Sequence, residues 1–254
     1  TALHQSSTAV GASASFITAA KVNGLGYLIL RQVQQTSLTP AGLAHAAILG
    51  LGLWSTLGAT GYAICVAYLI LGSAVTKVKL AQKQREGIAE KRGGARGPEN
   101  VWGSAATAMV CALLSLQNGH GTIFRVGYVA ALCTKLADTF QSEIGKAYGK
   151  TTILVTTLRR VPRGTEGAVS LEGYAAGVLG SGLLAGLALE LDVLSSLLEV
   201  AVCMVASVVG TTAESFIGAA FQTDKAAWLT NELVNVINTT IGAVVAMIGI
   251  MYLR

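Results

Sequence analysis

Two stretches near the C-terminal end, LSSLLEVAVCMVASVVGTTAESFIGAAF (194–221) and LTNELVNVINTTIGAVVAMIGIMYL (229–253), decide how the chain must be read. Each contains the run of about 20 mostly apolar residues that an α-helix needs to cross the hydrocarbon core of a bilayer. Their polar residues are not scattered. Ser207, Thr211, Glu214 and Gly218 recur at i, i+4, i+7 and i+11, and Asn231, Asn235, Asn238 and Gly242 repeat the spacing, so each helix presents one polar stripe. Thr134, Asp138, Gln141 and Gly145 form a third. Ionisable groups at membrane depth are costly and mark water-filled or substrate cavities, whereas amides and small residues also serve to join helices. The stripes are expected to face the interior of a bundle.

The rest of the sequence agrees. Of 254 residues, 52% are hydrophobic and 12% charged, against roughly a quarter charged in a soluble domain. Apolar runs read against Gly, Pro and charge breaks predict helices at 9–31, 42–57, 60–76, 101–117, 122–145, 170–190, 194–221 and 229–253. The fold class is therefore an all-α polytopic transmembrane bundle of about seven or eight spans, a single integral membrane domain over 1–254. The first span is the weakest, interrupted by Lys21 and Asn23; the second and third are short and joined at Gly58 to Gly61.

The net charge of +5 sits in short segments between apolar runs, a topology signal that points to a lipid bilayer and to no nucleic acid. Lys77 to Glu99 and Lys146 to Glu166 are separated by two spans, and two more reach Phe221 to Trp228, so these three loops share one face, cytoplasmic or stromal. Cys65, Cys111, Cys133 and Cys203 lie in apolar stretches without metal-ligand spacing and read as packing residues. The opening from Thr1 is rich in Ala, Ser and Thr and free of acid, as expected if a cleaved targeting segment precedes it.

Three segments could support chemistry. In GIAEKRGGARGPENVWG (87–103), Lys91, Arg92 and Arg96 alternate with glycines ahead of an apolar helix that Asn100 can cap; arginine grips phosphate through two parallel hydrogen bonds, and a helix N-terminus favours an anion. RRVPRGTEGAVSLEGYAAG (159–177) repeats the recipe with Arg163, Gly164, Thr165 and Gly167, and adds Glu166 and Glu172. ADTFQSEIGKAYGKTT (137–152) brings Asp138 and Glu143 to the same face, and one or two carboxylates with substrate phosphates are the usual seat of magnesium. Five residues on a helix is about 140° of rotation, so those two carboxylates do not share a stripe. The P-loop suggested by GKAYGKT fails, because its first glycine would have to stand at Ile144 and a membrane helix, not a strand, precedes it.

The ordered segments TKVKLAQKQREGIAEKRGGARGPENVWGS, CTKLADTFQSEIGKAYGKTT, RRVPRGTEGAVSLEGYAAG, AESFIGAAFQ and LTNELVNVINTTIGA closely resemble the plant and algal phytyl-phosphate kinases, chloroplast membrane proteins of tocopherol synthesis. The similarity covers nearly the whole chain from the second span onward. It implies a phosphotransferase that converts phytyl phosphate to phytyl diphosphate with CTP as donor, in the chloroplast envelope or thylakoid. On that basis Asp138 and Glu143 are expected to be catalytic and to hold Mg2+ with Glu214. Lys91, Arg92, Arg96, Asn100, Arg163, Gly164, Thr165 and Gly167 are expected to bind substrate and nucleotide phosphates. Association with other membrane proteins is left open. The rivals are a transporter, which also has interior carboxylates, and a non-catalytic subunit of a photosynthetic membrane complex.

Overall fold

The computed structural model describes residues 17–25, 28, 38–90, 95–117, 119–221 and 228–253. Most of the expected first span lies outside them, although residues 17–25 are helical. Helix α1 (Pro40–Thr76) starts at a proline and is capped by Thr39, whose Oγ1 accepts the Gly42 amide at 3.0 Å. Gly58 breaks it with φ 70° and ψ −164°, a conformation open to glycine and strained for other residues.

The chain doubles back there. A Cβ on Gly42 would run into the Arg96 carbonyl, and one on Gly72 would lie 2.9 Å from the Arg96 guanidinium; in a straight helix those two glycines would stand about 45 Å apart. The helix is thus a hairpin of two legs, 40–57 and 59–76, the pair of short spans expected from the sequence. Each leg runs about 27 Å, close to the thickness of a hydrocarbon core.

The short helix α2 (Leu80–Arg85) follows, then α3 (Pro98–Leu114) and α4 (Gly121–Tyr148), the latter central, packed against α1, α3, and the three helices that come after it. Beyond α4 a two-stranded ribbon, β1 (Thr152–Leu154) and β2 (Ala168–Ser170), pairs antiparallel with Ile153 opposite Val169. This ribbon of two three-residue strands lies in a loop and leaves the fold an all-α membrane bundle, as expected. Helices α5 (Leu171–Glu190), α6 (Leu197–Phe221) and α7 (Asn231–Leu253) complete the bundle.

By length and composition, α1, α5, α6 and α7 can each cross a membrane. Helix α3 has 17 residues, and α4 carries Arg125, Lys135, Asp138, Glu143 and Lys146. Neither is apolar and long enough alone, but both run among those that are. With α1 counted as two legs, the described residues supply seven, in keeping with a bundle of seven or eight.

Because α4 is enclosed by other helices, its middle from Val126 to Leu132 is buried on every side, and its polar stripe meets protein, not lipid. The three stripes converge on it. A Cβ on Gly242 would overlap Thr134, and one on Gly210 would come within 2.6 Å of the Thr134 methyl. Below this point the bundle is closed by small residues in direct contact. Above it, toward the basic loops, residues of the same stripes border open space.

Candidate functional site

The space they leave is a polar cavity of about 400 Å³ lined by Asp138, Gln141, Glu214, Ser215, Asn231 and Asn235, among others. Its roof comes from the loops: Glu90 and Arg96 from one side, Arg163 to Ala168 from the other. The loop before α3, the loop after α4 and the start of α7 therefore do share a face, as the charge pattern predicts; residues 222–227 of the third loop lie outside the described residues. The first turns of α3 and α7 and the Ser170 cap of α5 all border the cavity. Three helix N-termini thus direct their partial positive charge at one volume, a setting suited to anions.

Asp138 and Glu214 both line it, from neighbouring helices. Asp138 is engaged by Lys135, whose ammonium donates to Oδ2 at 2.5 Å and to Asn235 Oδ1 at 2.8 Å. Lys135 is not among the site residues expected from the sequence, yet its position, one helical turn before Asp138 on the same face, is the signal that identifies it. Gln141 donates to Ser215 Oγ at 3.4 Å, which ties the α4 stripe to the α6 stripe.

Of the expected phosphate ligands, Arg96, Asn100, Arg163, Gly164, Thr165 and Gly167 are brought together here, whereas Lys91 and Arg92 lie outside the described residues. Asn100 Oδ1 accepts the Gly97 amide at 3.0 Å and closes the first turn of α3. Arg163 grips Glu86 at 3.0 Å and 3.1 Å and donates to the Lys146 carbonyl at 3.2 Å, so it pins the ribbon loop to α2 and α4. Gly164 and Gly167 have φ of 84° and 71°. A side chain on Gly167 would strike the Ala219 backbone, so these glycines let the loop lie flat over the cavity. Thr165 Oγ1 donates to the Pro162 carbonyl at 2.8 Å.

Glu143 departs from expectation. The 140° rotation that separates it from Asp138 turns its carboxylate away from the cavity and into a buried ion pair with Lys83, itself held by the Thr76 carbonyl at 2.9 Å. Lys146 touches Glu143 at 3.4 Å on one side and Glu90 at 3.2 Å on the other. Burial alone would raise the Glu90 carboxyl, but the Lys146 ammonium, helped by Lys135 and Arg96, holds it below the usual carboxylate range.

Whether magnesium suits this donor set turns on its oxygen ligands. Among the described residues no three His, Cys, Asp or Glu side chains converge as a metal cage, but magnesium is commonly held by one or two carboxylates and completed by substrate phosphates and water. Asp138 and Glu214 are two carboxylates on one polar cavity, so the residues fit.

A second cavity, about 340 Å³ and mostly apolar, lies between the legs of α1 and the side of α3. It shares Arg96, Asn100 and Ser104 with the polar one.

No solved structure matches the chain. Among curated proteins it is 46% identical to protein VTE6, chloroplastic, of Arabidopsis thaliana, over 93% of this chain and 72% of that one. It is 50% identical to an uncharacterized membrane protein of Synechocystis over 83% of this chain and 81% of that one, and 29% identical to one of Methanocaldococcus jannaschii over 82% and 83%. The chloroplastic relative and the apolar helices agree with the expected placement, as an integral protein of a chloroplast membrane. The family model for integral membrane protein DUF92 matches residues 23–243, all of the bundle from α1 to the middle of α7, and the chain belongs to that family.

Proposed function

We propose that the protein is a prenyl-phosphate kinase, which transfers the terminal phosphoryl group of a nucleoside triphosphate, CTP, to phytyl phosphate. The observation that supports this most is the polar cavity in which Arg96 and Arg163 from two glycine-containing loops, Lys135, Lys146, three helix N-termini and the Asp138 and Glu214 carboxylates meet beside an apolar cavity, with Glu90, Glu166 and Glu232 also in the lining. A transfer between two phosphates needs cationic groups for both, and an isoprenoid acceptor needs a place for its chain. The resemblance to phytyl-phosphate kinases and the kinship with VTE6 support the same reading.

In the reaction an oxygen of phytyl phosphate attacks the terminal phosphorus of CTP. The bond from that phosphorus to the bridging oxygen breaks, leaving CDP and phytyl diphosphate, a precursor for tocopherol and related prenylquinones. Phosphoryl transfer requires positioning and charge stabilisation more than covalent chemistry from the protein. Arg96, Lys91 and Arg92 orient the phosphates; Arg163, held by Glu86 and the Lys146 carbonyl, lends its charge from the roof, and Asn100, Gly164, Thr165 and Gly167 shape the loops that carry these groups. Lys135 balances the carboxylate pair and sets the position of Asp138. Magnesium, held by Asp138 and Glu214, would neutralise charge on the phosphate oxygens.

The test is to incubate the purified protein in detergent with phytyl phosphate, magnesium and each of the four nucleoside triphosphates in turn. Phytyl diphosphate is expected, fastest with CTP. Failure with all four donors would overturn the kinase reading.

A further inference from the structure

The apolar cavity is lined by Leu43, Ala47 and Gly50 of one α1 leg, by Tyr62, Cys65 and Leu69 of the other, and by the Val101 to Ala105 side of α3. From Leu43 to Gly50, and again from Leu69 to Tyr62, the lining descends seven residues along a leg, about 10 Å into the bundle. Its volume of about 340 Å³ is in the range of ligand sites, roughly 300–1,000 Å³. Its lining is mostly apolar: Asn23, against Gly50, and Tyr62 are the polar residues at depth, while Tyr68, Arg96, Asn100 and Ser104 stand toward the phosphate cavity.

That junction carries two unsatisfied groups. Arg96 Nη1 is buried and, among the described residues, has no hydrogen-bond partner; the hydroxyl of Tyr68, a residue 4% exposed, is in the same state. The Arg96 guanidinium stands 5.6 Å from the Tyr68 ring centroid, so both groups occupy the seam between the cavities. Buried donors of this kind are normally paired, and a charged donor is paired best by an anionic oxygen. An apolar volume that ends at a cationic, unpaired seam fits one ligand chemistry, a single hydrocarbon chain terminating in a phosphate.

We propose that the cavity between the α1 legs is the seat of the isoprenoid chain, that Arg96 and Tyr68 hold the acceptor phosphate at its mouth, and that Ala47, Gly50, Tyr62 and Cys65 at the deep end set the chain length accepted. This rests on the kinase reading for the chemistry but not for the binding.

Two measurements test it. The first is binding: a prenyl monophosphate with a diazirine at the chain terminus is photolysed with the intact protein in detergent, and the crosslinks are mapped by mass spectrometry. Crosslinks between 47 and 66, competed by phytyl phosphate, are expected. Crosslinks confined to lipid-facing residues such as Val205 and Ile248, both outward on α6 and α7, would overturn the proposal. So would competition by two-chain phosphatidic acid but not by phytyl phosphate, since the cavity would then belong to a membrane phospholipid.

The second is selectivity. Cys65→Phe and Ala47→Leu fill the deep end, and each is expected to lower kcat/KM for phytyl phosphate at least tenfold relative to geranyl phosphate, whereas Val205→Phe leaves the ratio unchanged. An unchanged ratio in both folded cavity variants removes the length gauge. Deep-end crosslinks in a protein that phosphorylates nothing would uphold the chain seat and sink the kinase reading alone.

Discussion

Glu143→Gln separates a metal ligand from a structural ion pair. Both side chains of the Lys83–Glu143 pair are 1% exposed, and the lysine keeps only the Thr76 carbonyl when its carboxylate is removed. Stranding one member of a buried pair costs about 3–5 kcal/mol. At roughly 2–4 °C per kcal/mol for a chain of this size, the melting temperature in detergent should fall by about 6–20 °C. Replacing both partners, Lys83→Met with Glu143→Leu, strands no charge on Lys83, and such swaps are often neutral or stabilising by about 1–4 kcal/mol. The remaining contact, Lys146 at 3.4 Å, still has Glu90 at 3.2 Å. The double variant should therefore regain the melting temperature. It should also phosphorylate phytyl phosphate at ordinary magnesium, because Glu143 does not border the cavity. A double variant that melts normally but stays inactive would refute this assignment and return Glu143 to the chemistry.

Asp138→Asn should insert and purify but lose most phosphorylation, with partial recovery at high magnesium; full activity at ordinary magnesium would remove Asp138 from the mechanism. Since the Asp138 carboxylate also holds Lys135, the control is Lys135→Met with Asp138→Asn, which restores stability without restoring activity. Arg163→Lys keeps the charge but loses the planar guanidinium whose two nitrogens hold Glu86 and the Lys146 carbonyl at once; a raised KM for the donor is expected, and unchanged kinetics would leave Arg163 a topology signal. Single cysteines at Gly87 and Gly164 should be labelled by an impermeant thiol reagent from one side of the membrane, and one at Ser195 from the other. Labelling of all three from one side would break the topology. Glu90 is held below its ordinary value near 4.3, so the stability it lends to the Lys146 contact is fully present above that pH and is lost as pH falls through its lowered value. Protease nicking of the loop should rise in that acid window, and Glu90→Gln should abolish the pH dependence.

The sequence is legible wherever one physical requirement acts alone. Helix length against bilayer thickness places the legs within a few residues, and even the turn at Gly58 announces itself, since glycine is the residue that tolerates its backbone. Charge asymmetry places the loops on one face. The stripes of α4, α6 and α7 point inward because Asp138 and Glu214 cannot face lipid cheaply. What the sequence hides is which cation meets which carboxylate. Lys83 is separated from Glu143 by 60 positions and sits in a segment that reads as a solvated basic loop; only the fold of α2 against α4 carries it inward. The ribbon of β1 and β2 is similarly obscure, because three-residue strands have too little periodicity to register.

Asn238 shows where the two kinds of information part. Its stripe predicts an inward side chain, and it is fully buried, yet among the described residues neither atom of its carboxamide has a hydrogen-bond partner. Stripe position thus distinguishes inside from outside but not site from packing. The polar cavity takes Asn231 and Asn235 from the same helix face, whereas Asn238 lies one turn deeper, where the small-residue contacts of Gly210 and Gly242 close the bundle. A buried unpaired polar group costs about 1–3 kcal/mol. Asn238→Leu should therefore raise stability by about that amount and leave phosphorylation intact. A loss of the same size would mean that Asn238 holds an internal water between α4 and α7, and would extend the polar site a turn below Asp138.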